Sequence, residues 1–445
     1  LRALLGLAWP VVVSRSSQVV IGVCDALMVA GLGESALAAA TTGALNVFSI
    51  FIFPMGVVFI VSSYSSQLFG QGDLPGARRY GFYGLGVAGA TQIVCVAVWL
   101  FDRPLLDLLS YQPDVRRLIH DYLNYRLLSG GAAIGIEALS NYYGGLGNTR
   151  LPMRASIAAM ILNVLGCWLF IGGHLGAPAL GVKGSGLAAA LATTIAFLGF
   201  LAKFLLDRRV RGRVASRLRL GEALRMLRFG LPSGFNWFFE FLAFTFFVNV
   251  VVAGLGTTSL AAFMVAMQVN SVSFMPAFGL ASAGAILVGQ AIGRGDRDAV
   301  PGIVRLTFGA AAVWQGSVAI VYLGLPRLIF SAFVRGPAPS AALMEAGTRV
   351  LMLSAAWQLF DAAGMTLTEA LRAAGDTAFA MRARLVLAWM LFAPGAYLSV
   401  HVFGWRDTGA VLWLVLYMGA LATALYLRFR GGAWRALKLT ENPVP

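Results

Sequence analysis

Long apolar runs separated by short polar breaks make up most of this chain. Twelve runs fall at about 5–31, 41–69, 81–101, 121–145, 153–172, 181–203, 229–253, 259–289, 303–325, 342–370, 381–402 and 408–427. A run of about 20 residues, rising 1.5 Å per residue as a helix, crosses a hydrocarbon core of ~30 Å. The breaks carry the Gly, Asp, Asn and Arg residues that end helices. The pattern predicts an all-α membrane protein of twelve transmembrane helices.

Two stretches of this pattern are copies of one another. Residues 229–296 read FGLPSG…GLGTTSLAAFMVAMQVNSVSFMPAFG…LVGQAIGRGD, and residues 9–73 read WPVVVS…GLGESALAAATTGALNVFSIFIFPMG…SQLFGQGD. Gly31-Leu32-Gly33 matches Gly254-Leu255-Gly256, Leu37-Ala38-Ala39 matches Leu260-Ala261-Ala262, and Gly72-Asp73 matches Gly295-Asp296, all 223 residues apart. A shared offset of half the chain marks a duplication. It divides the chain into an N-lobe over 1–206, a linker over 207–228 and a C-lobe over 229–445, two pseudo-symmetric lobes of six helices each. A second repeated element, Gly147-Asn148-Thr149 with Met153-Arg154 against Gly375-Asp376-Thr377 with Met381-Arg382, reads as punctuation between helices.

Charge sets the orientation. Arg78-Arg79, Arg150/Arg154, Arg294/Arg297, Arg382/Arg384 and Arg428/Arg430 all fall on the same side as the N-terminus. The bias of basic residues toward cytoplasmic loops then places both termini inside, together with the connector carrying Arg208, Arg209, Arg211, Arg213, Arg217 and Arg219. Six spans per half insert both halves the same way round, with a pseudo-two-fold axis along the membrane normal and a cleft between the lobes. The expected location is the inner membrane, as a multi-pass monomer in the lipid bilayer.

Composition narrows the class further. At 59% hydrophobic and 12% charged, the chain lies outside the soluble range of roughly 25% charged. The net charge of +15 sits in loops between spans rather than on one face, so it is no nucleic-acid signal. Cys24, Cys95 and Cys167 fall inside apolar runs with no disulfide or metal-ligand spacing. His120, His174 and His401 lie at span ends, far apart in sequence, as helix-end surface residues. The first apolar run outlasts a signal peptide and leads straight into a second span, so it is expected to be a retained helix.

With these features, the sequence resembles the multidrug and toxic compound extrusion (MATE) transporters, and most of all their bacterial NorM branch, over nearly its whole length. The likeness rests on Pro10 and Asp25 of helix one, the LAA…FMP.FG…LVGQ.IG.GD pattern of Leu260 to Asp296, and the doubled six-helix organisation. Glu240 in helix seven and Asp361 in helix ten stand where the NorM branch carries its cation-coupling acids. The archaeal and DinF-like branches place an Asn and an Asp one turn apart in helix five. Here that pair reads Asn163 and Cys167, which disfavours a DinF-type N-lobe site and favours the C-lobe.

Carboxylates inside a bilayer cost from ~2.5 kcal/mol upward, so they are functional candidates by default. Five qualify: Asp25, Glu137, Glu240, Asp361 and Glu369. Helical rise puts Glu240 and Asp361 each about 16 Å from the cytoplasmic end of its span, at the midplane, where they can share a proton or coordinate Na⁺. Beyond that Na⁺, no metal is expected. Asp25 lies about 9 Å from the outer end of helix one, with Asn163 as its N-lobe partner. Its role is balanced between coupling and structure. Glu137 and Glu369 are candidates for proton relay or substrate contact, weighed against a plain role as solvated cleft residues. Arg15 is an intramembrane base that can pair with an acid or line the cleft, a structural or electrostatic role weighed against relay or substrate contact. Pro10, which precedes the acid of its own helix, is the hinge candidate. Phe238, Phe239, Phe241, Phe244, Phe246 and Phe247 crowd around Glu240, and those facing a cleft could hold flat cations by cation–π attraction.

What the resemblance implies is a secondary antiporter. It would export amphiphilic, often cationic drugs and toxic organic compounds in exchange for H⁺ or Na⁺ by alternating access, without a cofactor. A lipid-linked precursor flippase of the same superfamily is the alternative, although several intramembrane acids and one intramembrane Arg suit pyrophosphate poorly. No His/Glu metal motif, paired catalytic Asp motif or Gly-x-Ser context supports an enzyme, no P-loop supports ATP hydrolysis, and no filter-like repeat supports a channel.

Overall fold

The structure, a computed structural model, describes residues 1–107, 111–207, 218–334 and 340–440. Every long element is a helix. Helices satisfy each backbone N–H and C=O within the segment, which an apolar run in lipid requires. In chain order they are α1 (Arg2–Ala30), α2 (Glu34–Gly70), α3 (Leu74–Leu100), α4 (113–145), α5 (Arg150–Gly172), α6 (Val182–Leu206), α7 (Leu220–Leu255), α8 (Thr257–Gly293), α9 (Val300–Gly324), α10 (Ala341–Ala374), α11 (Thr377–His401) and α12 (Arg406–Arg430). Among the described residues eleven of these are long and apolar enough to cross a membrane. The other, α4, is long enough but broken. Its first part, Pro113–Arg126, is polar, a 3₁₀ turn follows at Leu127–Ser129, and the second part, Gly130–Gly145, carries Glu137, Asn141, Tyr142 and Tyr143.

The duplication appears in the backbone. Gly33 and Gly256, which precede α2 and α8, adopt φ of 108° and 99°, and Gly72 and Gly295, which follow the same two helices, adopt 81° and 84°. Side chains avoid this region, so the repeated glycines are explained by repeated turns. The aspartates beside them act alike as well. Asp73 accepts from the Gly76 amide at 2.8 Å and Asp296 from the Ala299 amide at 3.1 Å.

The helices gather into two compact units, one spanning Val13–Gly234 and the other combining Leu1–Val12 with Phe235–Pro445. In the first, α5 and α6 approach closely enough that a Cβ at Gly166 would sit 3.0 Å from the Ala188 Cβ. Small residues at such contacts are how helices pack where lipid offers no hydrophobic drive. The second unit has a core of buried Phe247, Phe263, Trp357, Leu371, Phe392 and Tyr417.

Two details add to the sequence reading, in which part of the connector could form an amphipathic surface helix. Helix α7 begins at Leu220, inside the stretch read as a linker. Its start is held to α3 by Arg79, which bonds both oxygens of Glu222 at 2.8 and 3.1 Å, and by the Tyr83 hydroxyl at 2.9 Å from the same carboxylate. The linker arginines Arg208, Arg209, Arg211, Arg213 and Arg217 lie outside the described residues. Arg384, counted above among the loop residues, is instead within α11 and buried. A basic residue near a span end looks the same in sequence whether its helix turns it toward water or toward a buried acid.

Candidate functional site

Glu240, Asp361 and Glu369 line one small cavity in the unit formed by Leu1–Val12 and Phe235–Pro445. Glu240 comes from α7, Asp361 and Glu369 from α10, and α11 contributes Arg384 to the same wall. The Arg384 guanidinium is ion-paired with Glu240, and 45% of the Glu240 side chain stays accessible. Glu369 is buried and bound at both oxygens by Arg372, one turn on along α10. The solvated reading of Glu369 therefore gives way to a buried ion pair, because its helix turns both partners inward.

Asp361 is held from another side. Gln315 of α9, fully buried, donates from Nε2 to Asp361 Oδ2 at 3.2 Å. Behind Gln315 the polar contacts continue. The Ser273 hydroxyl of α8 bonds Gln315 Oε1 and lies 3.3 Å from Gln358 Oε1, and Gln358 Nε2 donates to Asn270 Oδ1 at 2.7 Å. These amides tie α8, α9 and α10 together around the acid.

Charge and size define what this cavity can do. Three carboxylates against the two guanidiniums of Arg384 and Arg372 leave one negative charge. An uncompensated buried charge is costly, so the arrangement favours uptake of one cation or proton. Asn236, one turn before Glu240 on α7, lines the cavity with a buried Oδ1 that has no hydrogen-bond partner among the described residues. That oxygen can accept from a protonated acid or serve as a ligand to a hard cation. The cavity volume is about 70 Å³, room for a few waters or a bare ion but not for a drug-sized molecule.

Its aromatic walls are Trp237, Phe274, Phe278, Phe360 and Tyr417. None of the six phenylalanines singled out around Glu240 lines it. Phe247, for example, packs in the core against Phe263 and Phe392, with ring centroids 5.4 and 4.9 Å away. Both helices that carry the Glu240–Arg384 pair are distorted beyond it into π-helical stretches, Phe247–Val252 and Leu387–Phe392. Such stretches recur at functional sites because they loosen the helical ladder locally.

The candidates of the other unit do not converge in this way. Arg15 binds Glu137 through two parallel bonds of 2.8 and 3.0 Å, Gln18 adds a contact at 3.4 Å, and the guanidinium lies 5.6 Å from the centroid of the Phe59 ring. Asp25 takes a hydrogen bond of 3.1 Å from the Cys167 thiol, and Asn163 Oδ1 lies 4.0 Å from the same sulfur. Asn163 is thus beside Asp25 as expected, but Cys167, which sequence reading treated only as a missing acid, supplies the donor. Pro10 lies inside α1, just before Val12, where that helix passes from one unit to the other. His174 and His401 lie at helix ends, against the Trp168 and Val250 carbonyls, whereas His120 lies within α4 and pairs with Asp102.

Sequence reasoning missed Arg384 as a site residue, and with it Asn236, Gln315, Ser273, Gln358 and Asn270. The available signal was polarity inside apolar runs, since each of these interrupts a span.

Comparison with known proteins places this geometry in context. A family model described as MatE matches residues 10–169 and 232–398. The probable multidrug resistance protein NorM of Pseudomonas putida is 30% identical over 448 residues, covering 99% of this chain and 95% of that protein. A relative of the same description from Bradyrhizobium diazoefficiens is 30% identical over 438 residues, covering 96% of this chain and 92% of its own length. Among solved structures, a MOP superfamily transporter from Pyrococcus furiosus superposes with a TM-score of 0.86 at 19% identity, covering 98% of this chain and 97% of that one. At that identity the likeness concerns the fold.

Proposed function

The chain belongs to the MatE family of transporters, and on that premise we propose that it exports amphiphilic, often cationic drugs and toxic organic compounds in exchange for H⁺ or Na⁺. The observation that carries the coupling is the single excess negative charge left when Glu240, Asp361 and Glu369 are set against Arg384 and Arg372. One incoming cation or proton neutralises it. Asp361, held by Gln315, and Glu240, held by Arg384, supply the oxygens, and Asn236 offers a further acceptor. The ion-sized volume supports an ion site and leaves the transported compound to a larger space elsewhere.

Alternating access needs two bodies that move and a joint between them. The division into two compact units is compatible with two such bodies, and Pro10, which lacks the amide that would tie it into its helix, is the proposed hinge within α1. Orientation follows the basic residues, with both termini on the cytoplasmic side of the inner membrane. The paired state of Arg15, Arg372 and Arg384 speaks against a flippase for lipid-linked pyrophosphates, which would need unpaired cations to face its substrate.

Purified protein in proteoliposomes, with a proton gradient and a sodium gradient imposed separately, tests this reading. Export of an organic cation driven by at least one gradient is the expected result. Export indifferent to both gradients would overturn the antiport mechanism.

A further inference from the structure

A second cavity in the unit of Phe235–Pro445 differs in kind from the acid site. It is a groove of about 550 Å³ walled by the first turns of α9, the end of α12, part of α10 and the short helix Ala433–Ala436. Phe308, Leu367, Phe429 and Trp434 make its walls apolar, and Arg305, Arg430 and Arg435 stand around it. Arg435 is engaged by Asp298 at 2.8 Å and lies 5.3 Å from the centroid of the Trp434 ring. Arg305 and Arg430 are exposed and have no acidic partner among the described residues. Three guanidiniums against one carboxylate leave an excess of two positive charges beside an apolar trough.

The combination selects its occupant. A small soluble anion would use the arginines and waste the apolar walls, and a neutral hydrophobic compound would do the reverse. An anionic amphiphile uses both. The groove opens where α9 starts and α12 ends, the ends that the basic-residue bias places at the cytoplasmic surface, and it follows α9 from Pro301 to Phe308, about 10 Å into the apolar layer. That is the level at which a lipid headgroup meets its chains, in the leaflet that carries the anionic lipids. Thr366, also in the wall, has a buried hydroxyl with no partner among the described residues, well placed for an ester or glycerol oxygen.

We propose that this groove is a binding site for an anionic phospholipid, its phosphate held by Arg305 and Arg430 and one acyl chain laid along Phe308, Leu367 and Phe429. The assignment uses the membrane orientation given above but not the ion-coupling reading. A lipid-binding measurement can therefore fail while transport stands, and the reverse.

The test is retention of defined lipids by the purified full-length protein, read by native mass spectrometry after incubation with phosphatidylglycerol, cardiolipin or phosphatidylcholine. Wild type keeps the anionic lipids in preference to phosphatidylcholine. The double substitution Arg305→Gln/Arg430→Gln lowers their retention about tenfold, while Arg305→Lys/Arg430→Lys largely restores it. Thr423→Trp, which fills the groove from an exposed position of α12, lowers retention without changing charge and keeps the test decisive if the double variant misfolds. Equal retention of phosphatidylcholine, an unchanged double Gln variant, or displacement of the lipid by millimolar inorganic phosphate would each overturn the proposal, the last by showing a small-anion site instead.

Discussion

Both units of this transporter hold carboxylates beside arginine, yet among the described residues it is the unit of Phe235–Pro445 that collects its charges in a single cavity. In the unit of Val13–Gly234, Arg15 and Glu137 close on each other through two parallel bonds, and Asp25 stands apart with a thiol donor. In the unit of Phe235–Pro445, three carboxylates and Arg384 line one cavity, and with Arg372 paired to Glu369 one negative charge is left over. A matched bidentate pair is locked, since removing either partner strands a buried charge. An unmatched cluster is open to a visiting ion. On the proposed reading, the same duplicated scaffold would serve as a strut in one half and as the ion receptor in the other.

The largest effects that would break this comparison come from the C-terminal acids. Asp361→Asn or Glu240→Gln should each abolish gradient-driven export while leaving folded protein in the membrane, and the double variant should bind ions little worse than either single one, because the residues share a site. Ion or proton binding to the three purified variants measures this, and retention of wild-type gradient dependence by both single variants sinks the shared site.

Arg384→Gln sharpens the charge count. Removing the guanidinium leaves two negative charges in excess, so the expected change is from one cation bound per protein toward two, together with slower transport. Stoichiometry by calorimetry or isotope binding reads it directly, and an unchanged stoichiometry would separate Arg384 from the ion site.

Asp25→Asn should act more weakly, lowering the export rate but leaving part of it coupled. If it instead removed all ion binding while Asp361→Asn kept it, the receptor would lie in the other unit. Glu137→Gln strands Arg15 and is expected to cost on the order of 3 kcal/mol in stability. It should appear as a lower melting temperature, and Arg15→Met combined with Glu137→Met should recover most of it. The smallest change is Cys167→Ser, which keeps a donor to Asp25 and should alter transport by less than about twofold; a complete loss would make the sulfur itself essential.

Much of this was legible in the sequence. The apolar runs determined the helices, because a chain in lipid has no other way to satisfy its backbone over such lengths. The offset between Gly33 and Gly256, and between Gly72 and Gly295, determined the duplication, and the turns at those glycines have matching φ. Rarity inside the spans marked Glu240, Asp361, Glu369, Glu137, Asp25 and Arg15, since an ionisable residue there is expensive, and matched depth and the family resemblance singled out Glu240 and Asp361. Which of them meet was decided only by tertiary structure. Arg384 and Gln315 reach their acids from α11 and α9, and Trp237, Phe274 and Phe360 rather than the neighbouring phenylalanines form the aromatic walls. The reason lies in the solvent. In water a helix announces its buried face through an apolar stripe, but lipid is as apolar as a protein interior, so a span can be hydrophobic all round without encoding which side turns inward. Packing of small residues and pairing of buried polar groups make that choice, and both depend on helices distant in sequence.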